Sequence, residues 1–574
     1  MRTYSAGLLR FALAVLIFVG FSTLFVAAEH NPCPRFPVGS TVSEPENLFS
    51  HNGLLRVNFS YQTGTDEYGN TTYCFINEDG AESPTLHLSP GDTLILTVTN
   101  LLPPPSTSSM SMTTPADSTV CGSPVMNTSS VNLHYHGTNT SPMCGADDVI
   151  HTLIDPGQTF TYTIAFPSDE PPGLYWYHPH VHGLSESAVQ GGATGAIVID
   201  GIERIQPAVS GLPERILLIR DYPAPPDSTD PDEPGYNLSL NYIPVPFPKY
   251  PPAVIRLKPW AKEFWRVGNL SADTIIDVQV QYDGKPQTLQ IVGLDGVPTG
   301  SQDGSRRGRL IPVKHLRIPT ASRAEFIVTA PGTHVKKAVL LTRDVDTGPD
   351  GDTDPLRPLA TLQSNRAAPD SQFVIPAASG PGWLQRFEGL MEEKPTARRL
   401  LYFSEDNASS KFYITVEGAK PTLFSPDNPP AIVTTQGSVE DWTIQNRSLE
   451  NHEFHIHQIH YLLLERNGIP VPPEQQQFLD TVDIPFWKRK GPYPSVTVRM
   501  DFRGRDVGDF VYHCHILEHE DDGMMAIIRV LPQSSSAALP RRENVLSPEG
   551  QLDRNLSPAL NSNVKSRAPT GAAP

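Results

Sequence analysis

Four short clusters hold ten of the chain's 18 histidines and one of its 5 cysteines. They read His134-Tyr-His136, His178-Pro-His180, His452-Glu-Phe-His455-Ile-His457, and His513-Cys514-His515 followed by His519 and Met524. Imidazole and thiolate are ligands for copper, zinc and iron, and a His₂Cys set with a weak Met is typical of a blue copper site. The clusters therefore predict a protein that binds several transition-metal ions.

The His-x-His spacing indicates how most of these ligands meet. Residues i and i+2 of a strand point to the same face, so each pair presents two imidazoles to one site. Eight imidazoles converging between a first and a last domain would hold about three metal ions and leave open positions for a small molecule. The four pairs are His134/His136, His178/His180, His455/His457 and His513/His515.

The remaining ligands predict a second site. Cys514 lies between His513 and His515, so its side chain points to the opposite face of the strand. Together with His452, His519 and a weak axial Met524 it provides the parts of a blue copper electron-transfer centre. An electron leaving that centre would have a short covalent path to the three-metal site. Zinc is the weaker alternative, since it needs neither the interleaved Cys nor the Met.

Length and composition favour several β-domains. The chain has 574 residues, 18% of them charged, with 58 Pro and 42 Gly, which indicates many turns and few charged helical faces. Pro-Gly turns followed by alternating apolar residues recur at wide intervals, as expected of a repeated β-sandwich. The predicted organisation is a signal peptide at 1–28, domains at 29–205, 206–375 and 376–533, and a disordered tail at 534–574.

The N-terminus predicts export. Arg2 and Arg10 precede an apolar run over residues 11–26, and Ala27-Ala28 offers small residues for cleavage. An uncleaved anchor is the alternative, but the run is shorter than a usual spanning helix, so we expect no stable membrane insertion. The predicted location is secreted or periplasmic. The net charge of −18 argues against nucleic acid as a partner.

An exported chain can form disulfides. With Cys514 assigned to a metal, four cysteines remain and allow three pairings. Proximity in sequence favours Cys33 with Cys74 and Cys121 with Cys144.

The four clusters together resemble those of the multicopper oxidases, which include laccases, bilirubin oxidases, and cuprous and ferrous oxidases. The resemblance spans roughly residues 40–533. It implies an all-β fold of three cupredoxin-like Greek-key β-sandwich domains, with no copper ligands in the second. It also implies four copper ions, one of type 1, one of type 2 and two of type 3. Substrate would give electrons singly to type 1 copper, and four electrons would reduce O₂ to two waters.

Carried over by position, the resemblance implies a role for each ligand. The type 1 ligands would be His452, Cys514, His519 and Met524. The type 2 ligands would be His134 and His455. The type 3 ligands would be His136, His178, His180, His457, His513 and His515.

Two acidic residues are candidates for delivering protons to oxygen, which is a carboxylate's natural role. Glu520 directly follows His519 and resembles the acid of the cuprous and bilirubin oxidase branches. Asp147 resembles the acid near the type 2 copper, and Asp148 is its rival by charge.

Four positions depart from the usual family pattern without removing a ligand. Tyr135 stands where Trp is common, Glu453 where Pro is common, and Gln458 where Gly is common. His460 falls one residue late for the additional His of the laccase motif, so we expect it to support the site rather than bind copper.

The resemblance leaves the small reducing substrate open. Oxidation of phenols or aromatic amines, as in laccases, is the favoured hypothesis, since axial Met524 predicts a modest potential suited to easily oxidised substrates. The alternative is a metal oxidase acting on Cu(I) or Fe(II). It ranks lower because no Met-rich insertion precedes the third cluster. A non-catalytic copper scaffold is disfavoured, because all ten cluster histidines are retained.

Overall fold

The all-β prediction is confirmed. The computed structural model describes residues 31–105, 120–122, 126–224, 233–301, 308–369, 373–377 and 386–533. Within them 35 strands are accompanied by two short α-helices, α1 (Ser185–Gln190) and α2 (Leu517–Asp521), and three 3₁₀ turns, Ile202–Arg204, Pro207–Val209 and Pro473–Gln475. The predicted signal peptide and tail lie outside the described residues.

The first β-sandwich is built from nine strands. They are β1 (Asn47–Phe49), β2 (Leu54–Thr65), β3 (Thr71–Ile76), β4 (Thr85–Leu88), β5 (Thr93–Asn100), β6 (His134–His136), β7 (Thr159–Ala165), β8 (Gly173–His178) and β9 (Gly195–Ile199). One sheet has the order β1-β4-β9-β8-β6 and the other β3-β2-β5-β7. Alternate residues of β5, Leu94, Leu96 and Val98, are fully buried, as the period of two requires of a strand with one face on the core.

The second sandwich contains fourteen strands. They are β10 (Glu214–Pro223), β11 (Tyr236–Leu240), β12 (Ile243–Val245), β13 (Ala253–Leu257), β14 (Lys262–Asn269), β15 (Ile276–Tyr282), β16 (Lys285–Pro286), β17 (Leu289–Leu294), β18 (Val297–Pro298), β19 (Ile311–Val313), β20 (Leu316–Ile318), β21 (Arg323–Thr329), β22 (Ala338–Thr342) and β23 (Arg357–Ser364). The sheets run β12-β11-β10-β14-β21-β17-β18, with β19 on β17, and β13-β23-β22-β15-β16, with β20 on β15. The loop from β20 to β21, residues 319–322, supplies contacts to the candidate site.

The third sandwich contains twelve strands. They are β24 (Ala397–Asp406), β25 (Lys411–Val416), β26 (Ile432–Thr435), β27 (Val439–Asn446), β28 (His452–Ile456), β29 (Tyr461–Arg466), β30 (Ile469–Pro470), β31 (Phe478–Leu479), β32 (Thr481–Ile484), β33 (Ser495–Asp501), β34 (Gly508–Cys514) and β35 (Met525–Leu531). The sheets run β25-β24-β27-β33-β29-β30, with β31 on β29, and β26-β35-β34-β28-β32. Its core packs Trp442, Phe454 and Tyr512.

Each pair of sheets is formed by strands that fall inside one of the three predicted domain intervals. The disulfides are Cys33–Cys74 and Cys121–Cys144, the favoured pairing, and both lie in the first interval. Among the described residues, neither helix has the length and apolarity needed to cross a membrane.

Candidate metal centre

Strand register brings the histidine pairs together two by two. His134 of β6 lies opposite His178 of β8, and His455 of β28 lies opposite His513 of β34. The first and third sandwiches then interleave their rings. His134 stacks on His457 with ring centroids 3.8 Å apart. Eight imidazoles that are distant in sequence therefore share one buried space, as the sequence predicts.

The eight imidazoles form three groups of close nitrogen atoms, and His136 belongs to two of them. In each group the nitrogen atoms lie within 4.8 Å of one another. The groups are His134, His136 and His455; His136, His178 and His515; and His180, His457 and His513. In the last group, Nε2 of His513 lies 3.3 Å from Nε2 of His180 and 3.2 Å from Nε2 of His457. Three nitrogen atoms so close, directed at one another, are arranged to share a metal ion.

Five of the eight rings use their outer nitrogen for a hydrogen bond and turn the other nitrogen inward, namely His134, His136, His178, His455 and His513. Nδ1 of His134 meets Asp147, Nδ1 of His455 meets the Asp480 carbonyl, and Nδ1 of His178 meets the Pro179 carbonyl. The inward nitrogen atoms are buried with no hydrogen-bond partner among the described residues, which is costly unless a ligand is bound. Such atoms are Nε2 of His134, His178, His455 and His515 and Nδ1 of His136. These residues therefore fit transition-metal ions.

The electrostatics of the group suit metal binding as well. Burial, followed by repulsion from neighbouring imidazoles, lowers the pKa of His136, His180 and His457 well below the ordinary value. Burial lowers the pKa of His513 to about 3. These four imidazoles are therefore neutral at physiological pH, and neutral imidazole is the form that binds a metal.

A second set of donors lies on the other face of β34. Sγ of Cys514 is 3.6 Å from Nδ1 of His452 and 3.6 Å from Nδ1 of His519, and the two Nδ1 atoms are 3.0 Å apart. The backbone N–H of Glu453 donates to Sγ of Cys514 at 3.4 Å. Met524 is fully buried in the same core, and its carbonyl accepts from the N–H of Cys514 at 3.1 Å. Three members of the predicted set, His452, Cys514 and His519, are thus brought together, and Met524 lies in the same core.

Geometry distinguishes the two rival aspartates. Oδ1 of Asp147 lies 3.0 Å from Nδ1 of His134, and Oδ2 accepts from Nε2 of Gln458 at 2.6 Å. Asp148 instead accepts hydrogen bonds from the backbone of Ile150 and His151 and so closes a local turn. Asp147 is therefore the acid that contacts a candidate ligand. Gln458 has φ +60°, which explains why Gly is common there.

Glu520 lies beside the third imidazole group. Its Oε2 is 3.3 Å from Nδ1 of His513 and its Oε1 is 3.6 Å from Nδ1 of His180. The side chain is fully buried and Ser185 donates to it at 3.3 Å. Burial, with repulsion from Asp521, raises the pKa of Glu520 well above its usual range. A carboxyl group that retains its proton beside the metal site can serve as a general acid.

Three of the histidines outside the ligand set, His87, His315 and His460, have other contacts. Nε2 of His460 is hydrogen-bonded to the Asp295 carbonyl at 2.8 Å. This ring therefore supports the residues around the imidazole groups. His87 meets Asp200 at 3.1 Å and His315 meets Asp277 at 2.8 Å, both away from the imidazole groups.

Two features of the site carry no sequence motif and were missed by the sequence analysis. The first is a buried pair of Arg323 and Asp480 behind the imidazole groups. The second is an acidic cleft of about 250 Å³ that reaches His519. Six carboxylates line the cleft, namely Asp273, Asp350, Asp352, Asp354, Glu450 and Glu518.

The acidic cleft gathers negative charge that its own lining does not neutralise. Its described lining includes no lysine or arginine, although Asp354 is paired from outside with Arg357 at 3.1 Å. Burial raises the pKa of Glu450 to about 7, and repulsion from Glu518 and Asp352 adds to the shift. Like charges held this close favour either protonation or a bound cation.

Comparison with known proteins agrees with the geometry. Two sequence models, both described as multicopper oxidase, match residues 125–203 and 394–534. The chain is 22% identical over 402 residues to a laccase of Bacillus subtilis (strain 168), covering 63% of this chain and 71% of that protein. It is 22% identical over 477 residues to multicopper oxidase LPR1 homolog 1 of Oryza sativa subsp. japonica, covering 70% and 74%.

The fold has relatives among solved structures. A multicopper oxidase from Campylobacter jejuni, described as a metallo-oxidase, matches with a TM-score of 0.62 and 21% identity, covering 87% of this chain and 96% of that one. The chain belongs to the multicopper oxidase family. It is a copper-dependent oxidoreductase that uses O₂ as its electron acceptor.

Proposed function

We propose that the protein couples four one-electron oxidations of a reducing substrate to the reduction of O₂ to two waters, using four copper ions. The observation that carries the proposal is the joining of two donor sets by three consecutive residues at the end of β34, where Cys514 faces one set while His513 and His515 face the other. Type 1 copper would be held by His452, Cys514, His519 and Met524, type 2 by His134 and His455, and type 3 by His136, His178, His180, His457, His513 and His515.

The chain's own residues divide the remaining work. Bound copper would supply the one-electron storage and the reaction with O₂. Asp147 would keep the Nδ1 proton of His134 in place and hold a proton route on the type 2 side, supported by their 3.0 Å contact. Glu520 would hold a proton beside His180 and His513 and release it as oxygen is reduced.

The reductant, we infer, is a metal cation, the alternative of the two substrate hypotheses. The acidic cleft ends at His519, and Oε1 of Glu450 lies 3.4 Å from Nε2 of that ring. A cation bound by Glu450 would therefore sit one hydrogen bond from a type 1 ligand. Clefts lined by one sign of charge concentrate the opposite ion and speed its association.

The chemistry of the lining favours Fe(II) over Cu(I). Carboxylate oxygens suit hard divalent ions, whereas Cu(I) prefers thiolate and thioether sulfur. The described lining of the acidic cleft offers six carboxylates and no methionine or cysteine.

Oxidation of phenols or aromatic amines is the second candidate. The ring of Phe412 stacks on His519 with centroids 4.3 Å apart and forms an aromatic wall in the same cleft. A cationic aromatic amine matches both that wall and the charge of the cleft, while a phenolate is repelled.

Kinetics on one copper-loaded preparation test the proposal. An intense band at about 600 nm and a type 2 copper signal in electron paramagnetic resonance are expected. O₂ uptake should be fastest with Fe(II), slower with Cu(I) and an aromatic amine, and slowest with an anionic phenol. A preference for phenols, with Fe(II) inactive, would return the protein to the laccase-like class. Absence of the 600 nm band would contradict the type 1 assignment.

Export and domain organisation remain part of the proposal. Two disulfides are consistent with an oxidising compartment, so we place the protein outside the cytoplasm, secreted or periplasmic. The proposed domains are 29–205, 206–375 and 376–533.

A further inference from the structure

The proposed copper ligands come from the first and third sandwiches, yet one side chain of the second lies directly behind them. Arg323 is the first residue of β21 and is fully buried. Its Nη1 and Nη2 donate to the two carboxylate oxygens of Asp480 at 2.9 and 2.7 Å. A two-pronged pair of this kind fixes orientation as well as charge.

The same guanidinium joins all three sandwiches. Its Nε donates to the carbonyl of Leu174 in β8 at 3.0 Å, and Nη1 also donates to the carbonyl of Ala321 at 3.1 Å. Leu174 belongs to the first sandwich, Ala321 to the second and Asp480 to the third. Each of these contacts is buried, so displacement of the side chain would leave several polar groups unsatisfied.

Asp480 in turn contacts two imidazoles of the candidate site. Its Oδ1 lies 3.3 Å from Nε2 of His136, and its carbonyl oxygen accepts from Nδ1 of His455 at 2.8 Å. The opposite nitrogen atom of each ring, Nδ1 of His136 and Nε2 of His455, is the one turned inward without a partner among the described residues. The hydrogen bond at one nitrogen determines which nitrogen is free to bind a metal.

The glycine after His136 provides independent support. Gly137 has φ +83°, and a Cβ atom at this position would collide with Nη2 of Arg323 and with Oδ2 of Asp480. The backbone next to a candidate ligand is thus shaped to admit the ion pair. Any residue other than glycine at position 137 would therefore disturb the Arg323–Asp480 pair.

We propose that Arg323 is a positioning residue for the three-copper site, acting through Asp480 on His136 and His455. The second sandwich is then more than a spacer, because it supplies the cation that holds Asp480 against one type 3 and one type 2 ligand. The inference rests on the proposed copper assignment. It adds that the geometry of the type 2 site depends on a residue that binds no copper.

The test compares Arg323→Lys with Arg266→Lys in the copper-loaded protein. Arg266 is a matched control, since it is equally buried in the second sandwich and paired with Glu214 and Glu325. Lysine keeps the charge at either position but lacks the two-pronged geometry.

We expect Arg323→Lys to alter the hyperfine splitting of the type 2 signal and to lower type 2 copper occupancy or turnover by about 10- to 100-fold. The type 1 band should be retained, which also shows that the variant is folded. Asp480→Asn should reproduce the change. Arg266→Lys should leave the type 2 signal as it is in the parent protein.

Two results would overturn the inference, and they are distinguishable. If Arg323→Lys and Asp480→Asn both keep the type 2 signal and copper content of Arg266→Lys, Arg323 has no positioning role. If the parent protein shows no type 2 signal, the copper assignment fails together with this inference.

Discussion

Nε2 of His519 lies 3.4 Å from Oε1 of Glu450, while Nδ1 of the same ring lies 3.6 Å from Sγ of Cys514. A single imidazole therefore has one edge in the acidic cleft and the other in the proposed type 1 site. Electron transfer between a cation in the cleft and that site needs no passage through a long stretch of protein.

Removing a negative charge from the acidic cleft should weaken the binding of a cationic substrate and leave the oxidation of neutral substrates nearly unchanged. For Asp352→Asn and Glu450→Gln we expect the KM for Fe(II) to rise about tenfold or more, since one charge-assisted contact contributes about 1.5–3 kcal/mol. The value of kcat/KM for an uncharged phenol should change less than about twofold. Steady-state O₂ uptake measures both. Glu474→Gln, an exposed carboxylate elsewhere, is the control; equal losses for both substrates would contradict a cation site.

Proton delivery should depend on Asp147 and not on its neighbour. Asp147→Asn and Glu520→Gln are expected to lower kcat by about 10²–10⁴-fold, the usual contribution of general acid catalysis. Asp148→Asn should keep most of the turnover, because its contacts are to a local turn. Stopped-flow reduction of the 600 nm band should stay fast in every variant. Slow reduction in Asp147→Asn would assign the defect to electron entry instead.

The backbone N–H of Glu453 should raise the potential of the type 1 site. It donates to Sγ of Cys514 at 3.4 Å, and hydrogen bonds to that sulfur tune the redox potential. Glu453→Pro deletes the donor. If the bond favours the reduced state by about 1 kcal/mol, the potential should fall by about 40 mV for one electron.

Redox titration of the 600 nm band measures the shift in Glu453→Pro. Glu453→Gln is the control, because it keeps the N–H while changing the side chain that Thr320 contacts at 3.0 Å. An equal shift in both variants would attribute the effect to the side chain.

Stability should decrease between pH 4.5 and pH 7 because of Glu170. Burial raises the pKa of this fully buried carboxyl to about 7, although Arg386 and Asn139 oppose the shift. The folded state then binds more protons than the unfolded state in this window. The stabilisation is therefore complete below the unfolded pKa and is lost as pH rises through about 7, which lowers the free energy of unfolding by about 3 kcal/mol.

Glu170→Gln should remove the contribution of this residue to the pH dependence of stability, while keeping an acceptor for Asn139. Calorimetry at pH 5 and pH 8 should give a fall in Tm that is smaller by a few degrees in the variant than in the parent. A parallel fall in both proteins would mean that Glu170 is not the titrating group.

The convergence of the histidine pairs was predictable from the sequence because it depends on strand geometry. A period of two aims His134 and His136 at one site and turns Cys514 away from His513 and His515, whatever the rest of the fold does. The all-β class follows from the same alternation, which recurs in β5 and its neighbours. Charge alone left Asp147 and Asp148 equivalent, and their separate roles depend on the contact of Asp147 with His134 in its own sandwich and with Gln458 of the third sandwich.

The sequence by itself determined which residues can bind the metals and that short strands carry them, since both depend on local spacing. Only the tertiary structure decided how the site is held and what it can admit. The acidic cleft collects Asp273, Asp352, Glu450 and Glu518 from separate segments, and Arg323 reaches Asp480 across 157 residues. Such encounters are set by the packing of whole sandwiches, in which burial and charge compensation act between residues that share no periodicity in the chain.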